Sequence, residues 1–220
     1  MADLQKAIPY IRKAEGGLSR AVTDTASKNP APFTYQGKTG WHTNKGITWA
    51  TFSSLAPKLG YQPTADNFFL MPDSIWEKIY KNGYWNPMGA DNINSEAIAV
   101  AVVDYAWAFG VSGASTRLIK WVKSTFGINA SSMADVVTAI NSQPNESDTF
   151  DKLIIHRKAA FAALKQPANE KGWFSRMDEL KSFGSSLLQN ISKTISQNKG
   201  TSAVLFFLAW QHLDMCIVSL

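Results

Sequence analysis

Apolar residues recur at helical spacing from the start of the chain: Leu4, Ile8 and Ile11, with Ala7 and Ala14 beside them, predict a first helix. Gly16-Gly17 follows as a helix stop through a left-handed terminal glycine, which leaves Glu15 at the helix end beside a turn. From Leu18 to Thr48 the periodicity lapses into Ser, Thr, Asn, Gly and Pro with scattered aromatics. That stretch predicts irregular structure or short strands, with turns at Asn29-Pro30 and Thr39-Gly40. A helix is expected within Thr48–Leu59 and a stronger one over Ser74–Tyr80, where Pro72-Asp73-Ser74 offers the cap and Ile75, Trp76 and Ile79 the apolar face.

Glu96–Phe109 is apolar on most sides and predicts a central buried helix. Ser115–Phe126, Met133–Ile140 and Phe150–Leu164 complete a mainly helical second half, with 141–148 as a polar connector. After Lys181 a Ser-, Gln- and Asn-rich stretch leads to an apolar tail over 200–220. Gln211, His212 and Asp214 interrupt that tail, so it reads either as a membrane contact or as an amphipathic helix docked on the domain.

Composition narrows the chemistry. The 220 residues carry 22 Lys and Arg against 17 Asp and Glu, a formal charge of +5 that suits a polyanionic partner such as a bacterial envelope. The basic residues form no Arg-rich run, which disfavours nucleic acid. A single cysteine, Cys216, excludes an intramolecular disulfide and a multi-cysteine zinc site, and the three histidines lack HExxH spacing. No metal or cofactor is implied. The N-terminal segment has no long apolar core of the signal-peptide kind, so a protein made in the cytoplasm and acting at the cell wall or periplasm is expected to need another route out. Eight Trp, six Tyr and twelve Phe exceed what a core alone demands, and sugar-binding clefts also use aromatic faces.

Glu15 and Asp24 form the sharpest constellation, followed by Thr43. Glycoside hydrolysis needs one carboxyl group to protonate the leaving oxygen and a second polar or acidic group to handle water or the developing positive charge. The spacing alone is equally that of two solvated acids, and Thr43 alone equally a hairpin threonine bonded to backbone. Asp104, in the most apolar helix, requires a buried partner, since a stranded charge there is costly.

The surrounding motifs sharpen this. Glu15-Gly16-Gly17 and Thr43-Asn44-Lys45-Gly46-Ile47-Thr48 resemble the E-G-G and T-N-x-G-I-T signature of glycoside hydrolase family 108. Ile79-Tyr80 with Tyr84-Trp85 resembles its I-Y-x-x-x-Y-W, Asp104 with Gly110 its D-x-x-x-x-x-G, and Gly172-Trp173-Phe174-Ser175-Arg176 its G-W-x-x-R. The resemblance implies a mainly α, lysozyme-like fold with a small irregular or β-hairpin element after the first helix. It also implies N-acetylmuramidase activity on peptidoglycan, as in phage endolysins and secretion-associated enzymes, with dependence on a holin or a secretion system.

By the same resemblance Glu15 is the general acid, and Asp24 reproduces the E-x8-D spacing of phage-type lysozymes. Thr43 matches the threonine that positions water or the second acid. The family's N-D-P-x-D-x-G-G loop is replaced here by the longer Ala21–His42. His42, Asn44, Tyr84, Trp85 and Asp104 are the expected substrate contacts, with Phe33, Tyr35 and Trp41 as an additional stacking rim; Tyr84 and Trp85 are equally placed to plug the core. Trp173 and Arg176 are expected to close the second lobe rather than to act in chemistry. The implied organisation is a catalytic region over 1–92, a helical peptidoglycan-binding region over 93–180 sharing its core, and a polar linker and apolar tail over 181–220. A lytic transglycosylase, which needs a single acid, and a non-catalytic peptidoglycan-binding protein are the alternatives.

Overall fold

The computed structural model describes residues 1–190. The first helix, α1, spans Leu4–Ala14, with the Asp3 carboxylate accepting from the Gln5 amide at its start. It buries Ala7, Ile8, Tyr10 and Ile11, one face of the predicted stripe. The stop is not made in the predicted way: neither Gly16 nor Gly17 has a positive φ. Glu15 itself turns the chain out of the helix, at φ −99° and ψ 131°, while its amide still donates to the carbonyls of Ile11 and Arg12.

Three short strands follow as an antiparallel sheet in chain order: β1 (Leu18–Ser19), β2 (Thr43–Asn44) and β3 (Ile47–Thr48). Leu18 pairs with Asn44 and Thr43 with Thr48. Lys45 and Gly46 form the two-residue turn between β2 and β3, with φ of 49° and 76°. That mirror-image turn matches the strand twist, and glycine takes its second position without steric cost. Between β1 and β2 a single 3-10 turn, Thr25–Lys28, interrupts an exposed loop. Helices α2 (Trp49–Leu55) and α3 (Ala65–Phe69) close this small lobe over its own aromatic cluster. Phe33 lies edge-on to Trp49 at 5.4 Å and Tyr35 stacks on Phe69 at 4.6 Å, so two of the three rings expected as a sugar rim pack inward instead.

Helix α4 (Asp73–Tyr80) runs into one wider π turn over Lys81–Trp85. The two helices expected over 96–109 and 115–126 run as α5 (Glu96–Phe126), broken at Gly110, whose φ of 70° and ψ of 157° only glycine adopts cheaply. By length and hydropathy α5 would suffice to cross a membrane, yet Ala97 to Ala106 is buried without interruption inside the protein. Helices α6 (Met133–Asn141) and α7 (Glu146–Ala162) pack on it. The last helix among the described residues, α8, covers residues 167–190. It continues through 181–190, where a polar linker was expected, because Phe183, Leu187 and Leu188 pack against the core and Phe183 stacks on Tyr10 at 5.0 Å. One hydrophobic cluster runs from Ile8 to Leu180 across the boundary expected at 92. The apolar tail and Cys216 lie outside the described residues.

Candidate active site

Glu15 stands where α1 ends, against the β2–β3 turn, with its side chain 11% exposed. Its Oε1 accepts from Arg176 Nη1 at 2.8 Å. Its Oε2 faces Gly46: a Cβ built there would lie 2.2 Å from Oε2 and 2.7 Å from Cζ2 of Trp107. The glycine of T-N-K-G-I-T is therefore required twice, by its left-handed backbone and by the space that the carboxylate and the indole occupy.

Behind Glu15 lies a chain of ionic groups. The Asp104 side chain is fully buried on α5, and burial alone would push its carboxyl up. The charges and hydrogen bonds of Arg157 and Arg176 outweigh that and hold it below the usual carboxylate range. Asp104 Oδ2 accepts from Arg157 Nη2 at 2.5 Å; its Oδ1 accepts from Arg176 Nη2 at 2.6 Å and Nε at 3.1 Å. Arg157 also donates to the Ala101 carbonyl at 3.0 Å. Burial opposes the charge on Arg176, but Asp104 and Glu15 more than offset it and raise its affinity for the proton. Two guanidinium groups and two carboxylates thus alternate from the core to the surface. Sequence reasoning placed Arg176 away from the chemistry; it is the direct partner of Glu15.

An open cavity of about 360 Å³ reaches Glu15, lined also by Arg12, Gly16, Gly17, Lys45, Asp73 and Trp76. Asp73 is the second carboxylate in this lining, and both of its oxygens are paired, Oδ1 to Lys45 at 3.1 Å and Oδ2 to Arg12 at 3.0 Å. The hydrogen bond from Lys45, then the charges of Lys45 and Arg12, lower its pKa. An aromatic wall continues from there. Trp107 meets Trp76, Tyr80 and Tyr84 at ring distances of 5.9, 5.3 and 4.7 Å. Past Trp107 a second hollow is lined by Thr51, Leu55, Tyr84 and Gly110 among others. The Tyr80 hydroxyl is buried with no hydrogen-bond partner among the described residues. Burial, then the nearby Asp104 charge, raises its pKa well above the usual value.

The remaining expected site residues divide sharply. Asp24 is exposed and its Oδ1 accepts from the Ala26 amide at 2.9 Å, capping the 3-10 turn. It is absent from the lining of the Glu15 cavity. Thr43, half-buried on β2, lies 2.8 Å from Nδ1 of His42. His42 Nε2 is 3.2 Å from the Ala21 carbonyl, which can only accept, so Nε2 carries a hydrogen. In the neutral ring Nδ1 then accepts from the Thr43 hydroxyl, whose lone pairs stay available.

Four of the five expected substrate contacts are sealed in the interior. His42 is fully buried between Ala21 and Thr43, and Asn44 donates to the Phe68 and Phe69 carbonyls. Trp85 donates to Asp91 and is fully buried, and Asp104 serves the two arginines. Each is buried and engaged by polar partners within the fold. Tyr84 alone remains half-exposed, on the wall beside Trp107. Trp107 is the aromatic neighbour of the acid that the sequence reading lacks; it lies one helical turn after Asp104, which is the signal that points to it. Among the described residues no three His, Cys, Asp or Glu side chains gather as metal ligands.

Comparison with known proteins bears on the same segment. The family model described as Glycosyl hydrolase 108 matches residues 8–110, a span that contains Glu15, the hairpin, the aromatic wall and Asp104, and that stops before Arg157 and Arg176. A solved structure titled "Structure of Brucella abortus SagA" is similar over 84% of this chain and 94% of that chain, with a TM-score of 0.58. Sequence identity to it is 21%, so this likeness concerns the fold. No curated protein matches the chain.

Proposed function

We propose that this chain, whose residues 8–110 match the family model described as Glycosyl hydrolase 108, is a peptidoglycan hydrolase of that kind and specifically an N-acetylmuramidase. The bond cut is the β-1,4 link from N-acetylmuramic acid to N-acetylglucosamine. The observation that carries the reading is the seat of Glu15: a carboxyl group at a helix end, one-tenth exposed, opening on a cavity of about 360 Å³ that Trp76 also lines. With Oε1 engaged by Arg176, Oε2 is the oxygen that carries a proton to the bridging oxygen as the bond to the anomeric carbon breaks. Water then adds to that carbon, its hydroxyl remaining on the sugar and its proton returning to Glu15.

Thr43, on the hairpin strand that leads into the Lys45-Gly46 turn beside Glu15, is the group we assign to orient that water. With the His42 tautomer in which Nδ1 accepts, the Thr43 hydroxyl donates to His42 and its oxygen can accept from the nucleophile. Asp24 is occupied as a cap and serves the short turn it begins. Delivery to the cell wall, through a phage holin or a dedicated secretion route, belongs to the same proposal. Purified sacculi test the chemistry. Wild-type protein is expected to clear them and leave reducing N-acetylmuramic acid ends, and Glu15→Gln to leave them intact. Wild-type activity undiminished in Glu15→Gln sinks the assignment.

One observation favours a second reading. Among the described residues the only other carboxylate lining the Glu15 cavity, Asp73, has both oxygens in ion pairs. A lone acid suits a lytic transglycosylase, in which the sugar's own 6-hydroxyl attacks the anomeric carbon. Mass spectrometry of the released fragments separates the two, since that reaction leaves 1,6-anhydro ends.

A further inference from the structure

Arg176 reaches Glu15 from 161 positions away, out of a helix that begins well beyond the family-matched segment. A guanidinium group offers five N–H donors in a rigid plane, so fixing two of them fixes the rest. Nε and Nη2 both donate to Asp104 Oδ1, and Asp104 is itself held by Arg157 through its other oxygen. Arg157 is fully buried and tied to the α5 backbone at Ala101. The plane of Arg176 is thereby set from the core outward, and Nη1 is left pointing at Glu15 Oε1.

On its other side Glu15 meets the backbone of Gly46 and the edge of Trp107. The carboxyl group is held between a guanidinium on Oε1 and the hairpin turn that Oε2 faces, which fixes its orientation. Compensation of buried Asp104 alone would not need this geometry. Arg157 already neutralises one charge there, and a lysine at 176 could supply a second cation without also reaching Glu15.

We infer that Arg176 is a positioning residue: helix α8 completes the active site by aiming the carboxyl group of Glu15, with Asp104 and Arg157 as its anchor. This rests on the reading of Glu15 as the proton donor. Misplacing a reacting group by about 1 Å costs on the order of 100-fold in rate, which sets the size of the expected effect.

The test compares full-length wild type, Arg176→Ala and Arg176→Lys by sacculus clearing, sacculus pelleting and circular-dichroism melting. Arg176→Ala is expected to bind sacculi as wild type does, to turn over about 100-fold more slowly, and to regain activity in non-denaturing guanidinium chloride. Arg176→Lys, which keeps the charge but not the fork, is expected to lose at least about tenfold and so decides the matter should Arg176→Ala fail to fold. Turnover within threefold of wild type in a folded variant, or a defect confined to sacculus binding, overturns the inference. A crystal structure of the lysine variant separates this from the reading of Glu15 itself, because it needs no activity. Glu15 turned away from Gly46 supports the positioning role, and an unmoved Glu15 overturns it.

Discussion

Glu15 and Asp24 are both acids that follow a helical or turn signal, nine residues apart, yet the protein treats them in opposite ways. Glu15 is enclosed: α1 delivers it, the hairpin turn and Trp107 wall it, and a buried ionic chain from α5, α7 and α8 grips it. Asp24 is exposed on a loop whose neighbour Val22 is 87% exposed, and its carboxylate does the local work of capping four residues. The difference teaches that a carboxylate becomes chemically useful through what is assembled around it from distant parts of the chain. Spacing in sequence brings it only to the right turn of backbone.

The largest effect expected is on turnover. Glu15→Gln keeps the shape and removes the proton, and should lower sacculus hydrolysis by about 10³-fold, whereas Asp24→Asn should leave it within a few-fold. A comparable loss in Asp24→Asn breaks the contrast and returns the loop to the chemistry. Because asparagine caps as well as aspartate, that variant should also melt at the wild-type temperature, so any loss of rate would not be one of folding.

Next in size is stability. Asp104→Asn leaves the buried guanidinium of Arg157 and the half-buried one of Arg176 facing a neutral amide, and should destabilise by about 3–5 kcal/mol in urea unfolding. The sign with pH follows from its lowered pKa. Asp104 stabilises the fold fully above the unfolded carboxylate value, and the contribution is lost as pH falls through the folded one. Melting temperature should therefore fall in acid for wild type, and less steeply for Asp104→Asn. An equal acid slope in both would place the acid sensitivity elsewhere.

Gly46→Ala should cost less in stability and more selectively in rate. The left-handed backbone costs an alanine about 1–2 kcal/mol, and the new methyl must displace Glu15 or Trp107. Activity at least about tenfold lower in a protein that still melts cooperatively is the expected outcome. Full activity would mean that the hairpin does not wall the acid. Smallest of all is Thr43→Val, which removes the hydroxyl that His42 orients. A roughly tenfold loss on sacculi with unchanged binding is expected, and wild-type turnover would remove Thr43 from the reaction.

Much of the architecture is legible in the sequence because it is local. The stripe of Leu4, Ile8 and Ile11, the apolar face of Ile75, Trp76 and Ile79 and the unbroken apolar run after Glu96 each state a periodicity within a few residues. The motif residues were found for the same reason, but their work was misread. His42, Asn44 and Trp85 look like site residues because they sit beside the acid's hairpin or in an aromatic motif. The fold spends their polar atoms on the Ala21, Phe68 and Phe69 carbonyls and on Asp91. Nothing within a few positions of them announces such partners.

The sequence by itself determined that this chain is mainly helical, that Glu15 ends the first helix, and that Asp104 must find a countercharge. Only the tertiary structure decided which countercharges answer, that Arg176 bridges Asp104 to Glu15 across 72 and 161 positions, and that Asp24 stays outside. The physical reason is one of range. Helix and turn preferences are set by neighbours a few residues apart, whereas an ion pair in a dry interior forms wherever packing brings two side chains together.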